Sequence, residues 1–239
     1  MAEHIVQCRN LSIGYGNEAV LQGINLEIAK GDYLPFVGCN GAGKTTLLRT
    51  ILGLLKPLGG ELMIAENHVP GYVAQVSTLD KLYPVTARQI VHMGFYPKIG
   101  FWQQPGSALI ERAEKLLCRF NLQDHADRPF EELSGGMRQK VLIARALVTN
   151  TDLLIMDEPA TGLDEKSEFE LIELLFQLSE EEGKTVLFAQ HNLAPILVFA
   201  KKICHFNQGR VELVSMADYQ RSSRLSRPDS LKVEQSSHV

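Results

Sequence analysis

Gly38-Cys39-Asn40-Gly41-Ala42-Gly43-Lys44-Thr45 satisfies the pattern G-x-x-x-x-G-K-[ST] in full. It stands between an apolar run, Tyr33 to Val37, and a stretch of helical apolar spacing, Leu47 to Leu55. A strand, a glycine-rich loop and a helix in that order make a phosphate cradle. Glycines at Gly38, Gly41 and Gly43 allow backbone angles closed to other residues, so that successive N–H groups, those of Asn40 and Ala42 included, converge on phosphate oxygens at a helix N-terminus. Lys44 is expected to neutralise β and γ phosphates. Thr45, with Thr46 beside it, places a hydroxyl where a Mg2+ ion bridging those phosphates needs an oxygen ligand. A turn that only joined a strand to a helix would have no need of Lys and Thr after its last glycine.

Composition narrows what surrounds the cradle. At 239 residues and 45% hydrophobic content the chain can bury a full core, and its net charge of -4, with both signs interspersed, gives no footprint for nucleic acid. No window has the uninterrupted apolar length of a membrane span, and Met1-Ala2-Glu3-His4 lacks the basic and apolar regions of a secretory signal, so a cytoplasmic protein is expected. The 4 cysteines, Cys8, Cys39, Cys118 and Cys204, have no metal-ligand spacing. Cys39 lies inside the cradle near a helix N-terminus, where oxidation would block nucleotide binding; an inert small residue is the other reading.

Upstream of the cradle, His4 to Leu11 and Val20 to Ile28 read as two strands separated by a turn through Gly14-Tyr15-Gly16, an antiparallel β layer. Tyr15 between glycines presents a ring on which a nucleotide base can stack. Pro35 interrupts the strand that feeds the loop; having no N–H for the ladder, it is expected at the first paired position or at a bulge.

Downstream, Thr45 to Gly53 reads as a helix, and Glu61 to Ala65 and Gly71 to Ala74 as short strands leading to Gln75. From Pro84 to Leu133 the pattern turns helical, with Thr86 capping Ala87 to Met93 and Ser107 opening a longer amphipathic helix through Phe120. This stretch, about 76–134, is an inserted helical subdomain. After a helix from Arg138 to Val148, the unbroken apolar run Leu153 to Met156 reads as a strand buried on both faces, ending in Asp157 and Glu158. Glu165 to Glu182 reads as a long helix, Thr185 to Ala189 as a further buried strand before Gln190-His191, and Ile203 to Val214 as a hairpin turning at Gln208-Gly209. The repeated β-α-β order makes an α/β fold with a mostly parallel sheet. Residues 1–217 form one domain, and the polar stretch 218–239 is expected to be a disordered tail.

Hydrolysis of a bound nucleotide needs a second metal ligand, a base for the attacking water and a group on the γ phosphate. Asp157 and Glu158, adjacent at a strand end, point to opposite sides of the chain, Asp157 toward Mg2+ and Glu158 toward water. Either alone also reads as an acidic helix start. Ser134-Gly135-Gly136 before a helix offers a hydroxyl, backbone N–H groups and a helix N-terminus, a second anion site for which one cradle leaves no phosphate.

Leu133-Ser134-Gly135-Gly136-Met137-Arg138-Gln139 resembles the signature motif of ABC ATPases. The order cradle, Gln75, signature, Leu153 to Glu158, Gly162-Leu163-Asp164, His191 is that family's order over about Ile5 to Val214. The resemblance implies the ABC ATPase fold: a P-loop NTPase core, an antiparallel β layer and an inserted helical subdomain. It implies ATP and Mg2+ as ligands, Tyr15 on adenine, Gln75 as a ligand near Mg2+ and water, and Glu158 as general base. It further implies Asp164 as a dimer-contacting aspartate and His191 on the γ phosphate. By the same resemblance, two cassettes, two copies of this chain or one with a homologue, pair head to tail, each Ser134 to Gly136 loop closing over the other's ATP. Cys39, Ala74 and Asn192 depart from the family's usual residues without removing a catalytic group, and Gln190 and Asn192 bear on how His191 is oriented.

A single cassette without a span implies docking at the cytoplasmic face of a membrane on separately encoded permease subunits. Leu82-Tyr83-Pro84-Val85-Thr86 and Ile90-Val91-His92-Met93-Gly94-Phe95-Tyr96 resemble the importers of zinc, manganese or iron chelates, which implies an extracytoplasmic substrate-binding protein as a further partner. An exporter ATPase for lipids or drugs and a soluble ABC ATPase outside transport are the alternatives.

Overall fold

The computed structural model describes residues 3–65, 69–74, 85–99 and 103–225. Two sheets build it. In the smaller, β1 (His4–Tyr15) pairs antiparallel with β2 (Glu18–Ala29) on one side and with β4 (Gly59–Ile64) on the other. The larger runs β5 (Gly71–Val73), β6 (Leu153–Asp157), β7 (Thr185–Ala189), β3 (Tyr33–Gly38), β8 (Lys202–Asn207) and β9 (Arg210–Ser215), parallel except for β9 at its edge.

Alternation along the buried strands divides the interior into two cores. Tyr33, Val37, Leu154, Met156, Val186 and Phe188 face one, while Leu34, Phe36, Leu153, Ile155, Leu187 and Ala189 face the other. The second core lies under the antiparallel sheet and α1 (Lys44–Ile51), with Val6, Ile13, Leu26, Leu47 and Ile51 among its members. The first is shared by α5 (Gly135–Leu147), α6 (Glu165–Glu182) and the inserted helices α2 (Ala87–Met93) and α4 (Ser107–Arg119), through Leu142, Leu175, Val91 and Leu117. Each fully buried Leu, Ile or Val contributes about 1.5–3 kcal/mol relative to exposure, so strands apolar on both faces anchor the parallel sheet.

Several expected elements form for the expected reason. Thr86 caps α2 through a full capping box with Gln89, and the β8–β9 hairpin turns on Gln208 and Gly209 at φ 46° and 78°, the paired left-handed conformation of a tight hairpin. A short helix α3 (Tyr96–Ile99) falls in the stretch after Met93, and α7 (Ile196–Phe199) follows His191.

Others differ. β1 does not stop at Leu11 but continues to Tyr15, because register shifts after Cys8 and Leu11 let the strand absorb irregular pairing without ending. The expected disordered tail begins as a helix, α8 (Met216–Leu225): the Ser215 hydroxyl accepts from the Asp218 N–H and donates to its carboxylate, which starts that helix. Residues beyond 225 lie outside the described residues.

Pro35 is resolved by strand geometry. The carbonyls of Asp32 and Phe36 accept from Val186 and Gln190 of the β7 side, so even-numbered residues of β3 bond toward β7 and the Pro35 nitrogen faces β8. The β8 register begins only at Phe36 opposite Cys204, so the missing N–H falls just before that ladder. The proline therefore stands one residue before the first paired position on the β8 side, while on the β7 side it is opposite Phe188 within the strand, so neither a first paired position nor a bulge accommodates it.

Candidate functional site

The loop from Gly38 to Gly43 leaves β3 at the centre of the large sheet and enters α1. Gly43, the residue before α1, has φ 96°, and a Cβ there would stand 2.5 Å from Leu21 Cδ1, so both backbone angle and space require glycine. Gly38 needs glycine for another reason than the expected one. Its φ is not left-handed; instead a Cβ would lie 2.5 Å from the Phe206 carbonyl oxygen of β8. Gly38→Ala is therefore expected to destabilise the fold by about 1–3 kcal/mol through overpacking against backbone, read as a lower melting temperature.

Around this loop lies an open cavity of about 320 Å³, lined by Tyr15, Val20, Asn40, Gly41, Ala42, Gly43, Lys44, Thr45, Thr46, Glu158 and His191. Lys44 is buried, and its ammonium donates to the Gly38 and Cys39 carbonyls at 2.7 and 2.9 Å. Desolvation pushes its pKa down, with Glu158, Cys39 and Asp157 opposing the shift, so a poorly solvated cation stands at the loop with neutral partners. The Thr45 hydroxyl donates to Asp157 Oδ1 at 2.8 Å. A hydroxyl and a carboxylate side by side are hard oxygen donors, which suits Mg2+.

Glu158 follows β6 with φ 50°, an uncommon left-handed conformation for a residue with a side chain. That turn, rather than strand alternation, parts the two carboxylates: Asp157 meets Thr45, while Glu158 Oε1 lies 2.5 Å from His191 Nε2 and its Oε2 accepts from Thr161 at 3.1 Å. Tyr15 is exposed at the cavity's edge, 3.5 Å from the Thr46 hydroxyl through its own oxygen, and Cys39 is also exposed. Val20, near the start of β2, also lines the cavity beside Gly43, a placement that strand periodicity cannot indicate.

Ser134, Gly135, Gly136 and Asp164 do not line this cavity. They form a second cluster on the same chain. Ser134 caps α5, accepting from the Met137 N–H at 3.3 Å, so the helix starts at Gly135, earlier than the expected Arg138. Gly135 packs so closely on Leu163 that a Cβ would stand 2.9 Å from its Cδ2, and Gly136 faces Ser167. Asp164 caps α6, accepting from the Ser167 N–H and hydroxyl at 3.0 and 2.7 Å, and these bonds hold its pKa below the usual carboxylate value. The cluster is exposed at Ser134 and Asp164, at the N-termini of two helices. Gln75 and Leu82 to Pro84 lie outside the described residues.

Among the described residues no helix is long and apolar enough to cross a membrane. Residues 21–161 match the family model described as ABC transporter. The manganese transport system ATP-binding protein MntB of Bacillus subtilis is 38% identical over 194 residues, 79% of this chain and 77% of that protein. Among solved structures, one described as a metal-chelate type ABC transporter in an inward-facing conformation superposes with TM-score 0.84 at 30% identity, covering 94% of this chain and 88% of that one. A dimeric, post-hydrolysis state of the ATP-binding cassette MJ0796 with ADP and Pi superposes with TM-score 0.71 at 28% identity, covering 88% and 98%. With a phosphate loop, a carboxylate pair, a signature loop and these likenesses spanning most of its length, the chain belongs to the ABC transporter family as an ATP-hydrolysing cassette.

Proposed function

We propose that this chain is the ATPase subunit that powers uptake of a divalent metal or metal chelate through separately encoded permease subunits at the cytoplasmic face of a membrane. The observation that carries the ATPase half is the grouping of Lys44, the Thr45–Asp157 pair and the Glu158–His191 pair around one cavity. Support for the cargo comes from the manganese-system relative and the metal-chelate transporter neighbour.

In this reading Tyr15 stacks on adenine, the loop N–H groups and Lys44 hold the phosphates, and Thr45, Asp157 and Gln75 would hold Mg2+. That ion would neutralise charge on the β and γ phosphates. Glu158 takes a proton from the attacking water, and His191 contacts the γ phosphate. The roles of Gln75, His191 and Asp164 are those that the resemblance to ABC ATPases implies. The second cluster completes the site from another chain: Ser134, Gly135 and Gly136 of one cassette close over the nucleotide of its pair, and Asp164 meets the facing cassette. The separation of the two clusters within one chain favours this pairing, as does the dimeric neighbour. An extracytoplasmic binding protein would deliver the cargo to the permease.

Uptake is tested in cells lacking this chain and its permease. Accumulation of zinc, manganese or a chelated iron is expected to fall and to return with the parental gene. Unchanged accumulation of all three beside a defect in lipid or drug handling would instead favour export.

A further inference from the structure

His191 sits on an exposed loop after β7, yet a hydrolytic role needs it placed to within a fraction of an ångström. What holds the loop is a carboxylate on another element. Glu168 of α6 is buried, at 9% exposure; its Oε1 accepts from Gln190 Nε2 at 2.5 Å and its Oε2 from Asn192 Nδ2 at 2.8 Å. Those donors are the two residues flanking His191. Asn192 Oδ1 in turn accepts from the Ala194 N–H at 3.1 Å, which settles which end of that amide faces Glu168. Among the described residues no cation pairs with this carboxylate, so burial there is stabilised by amide donors alone, a costly placement for a charge that did nothing but pack.

We propose that Glu168 is the positioning residue for His191, clamping its loop from both sides so that the imidazole stays against Glu158 and the nucleotide; the proposal rests on the hydrolytic reading above. A carboxylate suits the task because it offers two acceptors to two amides in one plane. The backbone of Glu168 is set by the first hydrogen bond of α6, its N–H donating to the Asp164 carbonyl at 2.8 Å. The same turn carries the Asp164 cap and the Ser167 side chain beside Gly136. Glu168 therefore joins the cluster that faces a second cassette to the histidine that faces the nucleotide.

The test compares Glu168→Ala, Glu168→Gln, His191→Ala and the double alanine variant in the full chain, measuring kcat, KM for Mg-ATP, nucleotide affinity and melting temperature. Glu168→Ala is expected to lower kcat by about 10²-fold, the cost of ångström-scale misplacement, with KM and affinity little changed. Glu168→Gln is expected to keep most of the rate, since the Gln190 amide can turn its oxygen toward the new NH2 while Asn192 still donates to the remaining carbonyl. Adding Glu168→Ala to His191→Ala is expected to cost nothing further, because one acts through the other. A parental rate in Glu168→Ala beside a slow His191→Ala overturns the proposal and leaves the hydrolytic reading standing. Additive losses also overturn it, and a parental rate in His191→Ala removes both. Should Glu168→Ala not fold, Asn192→Asp sets carboxylate against carboxylate: kcat is expected to fall and to recover when Glu168→Gln is added, and absence of either effect overturns the clamp.

Discussion

Glu158→Gln is expected to bind Mg-ATP as the parent does and to release phosphate about 10²–10⁴-fold more slowly, the usual worth of a general base. The substitution keeps side-chain shape and the hydrogen bond from Thr161, but it removes the basic oxygen that now lies 2.5 Å from His191 Nε2. None of the cradle's hydrogen bonds includes it: Lys44 bonds the loop carbonyls, and Thr45 bonds Asp157. On the proposed pairing, unhydrolysed nucleotide shared between the cradle of one copy and the Ser134 loop of another is expected to hold the pair together by mass action. Light scattering after size exclusion is expected to give a dimer with Mg-ATP and a monomer without it. Ser134→Arg in the same background is expected to abolish the dimer, since a long side chain at the exposed cap of α5 would fill the space of the facing γ phosphate while leaving the cradle intact. A Glu158→Gln protein that stays monomeric with ATP bound, or that turns over at the parental rate, would rule out the base assignment and the shared-nucleotide mechanism together.

Much of this arrangement is legible in the residues alone, and the limits of legibility are physical. Strands buried on both faces announce themselves as unbroken apolar runs, so Leu153 to Met156 and Thr185 to Ala189 are legible with their polar ends, and those ends lead to Asp157, Glu158 and His191. The α6 helix is equally legible from Glu165 to Glu182, bounded by the Asp164 cap and by Gly183 at φ 64°. What periodicity misses is set by contacts distant in sequence. The requirement for Gly38 comes from the Phe206 carbonyl, which local spacing cannot indicate. In sequence Glu168 is one acid among many in a charged helix. Its partners lie 22 and 24 residues away, so only the packing of α6 beside the β7 loop reveals it. The continuation of β1 to Tyr15 is hidden because Gly14-Tyr15-Gly16 reads as a turn, whereas Gly14 and Tyr15 still pair with Ala19 and Glu18. The α8 helix was hidden because its composition is polar, whereas its start depends on one Ser215–Asp218 cap.

Lys44→Ala is expected to remove nucleotide binding while sparing the fold. The ammonium is 5% exposed at residue level and satisfied in this state by two neutral carbonyls, at 2.7 and 2.9 Å, that solvent can serve once the side chain is gone. Burial disfavours its charge, so removing it relieves desolvation, and the melting temperature of the nucleotide-free protein is expected to change little. With ATP the balance reverses. Hydrogen bonds to charged partners contribute about 1.5–3 kcal/mol each, so losing those from Lys44 to two phosphates costs about 3–6 kcal/mol, which weakens Kd by about 10²–10⁴-fold. Titration calorimetry measures that change directly, and thermal melting checks it independently. Ligand that binds only the native state raises stability by RT ln(1 + [L]/Kd), so the rise in melting temperature that Mg-ATP produces in the parent and in Glu158→Gln is expected to vanish in Lys44→Ala. The contrast between the variants carries the argument, because a general loss of integrity would lower both curves, whereas the cradle assignment requires one variant to bind without turnover and the other to fold without binding. Parental affinity in Lys44→Ala would place the phosphates somewhere other than the Gly38 to Thr45 loop.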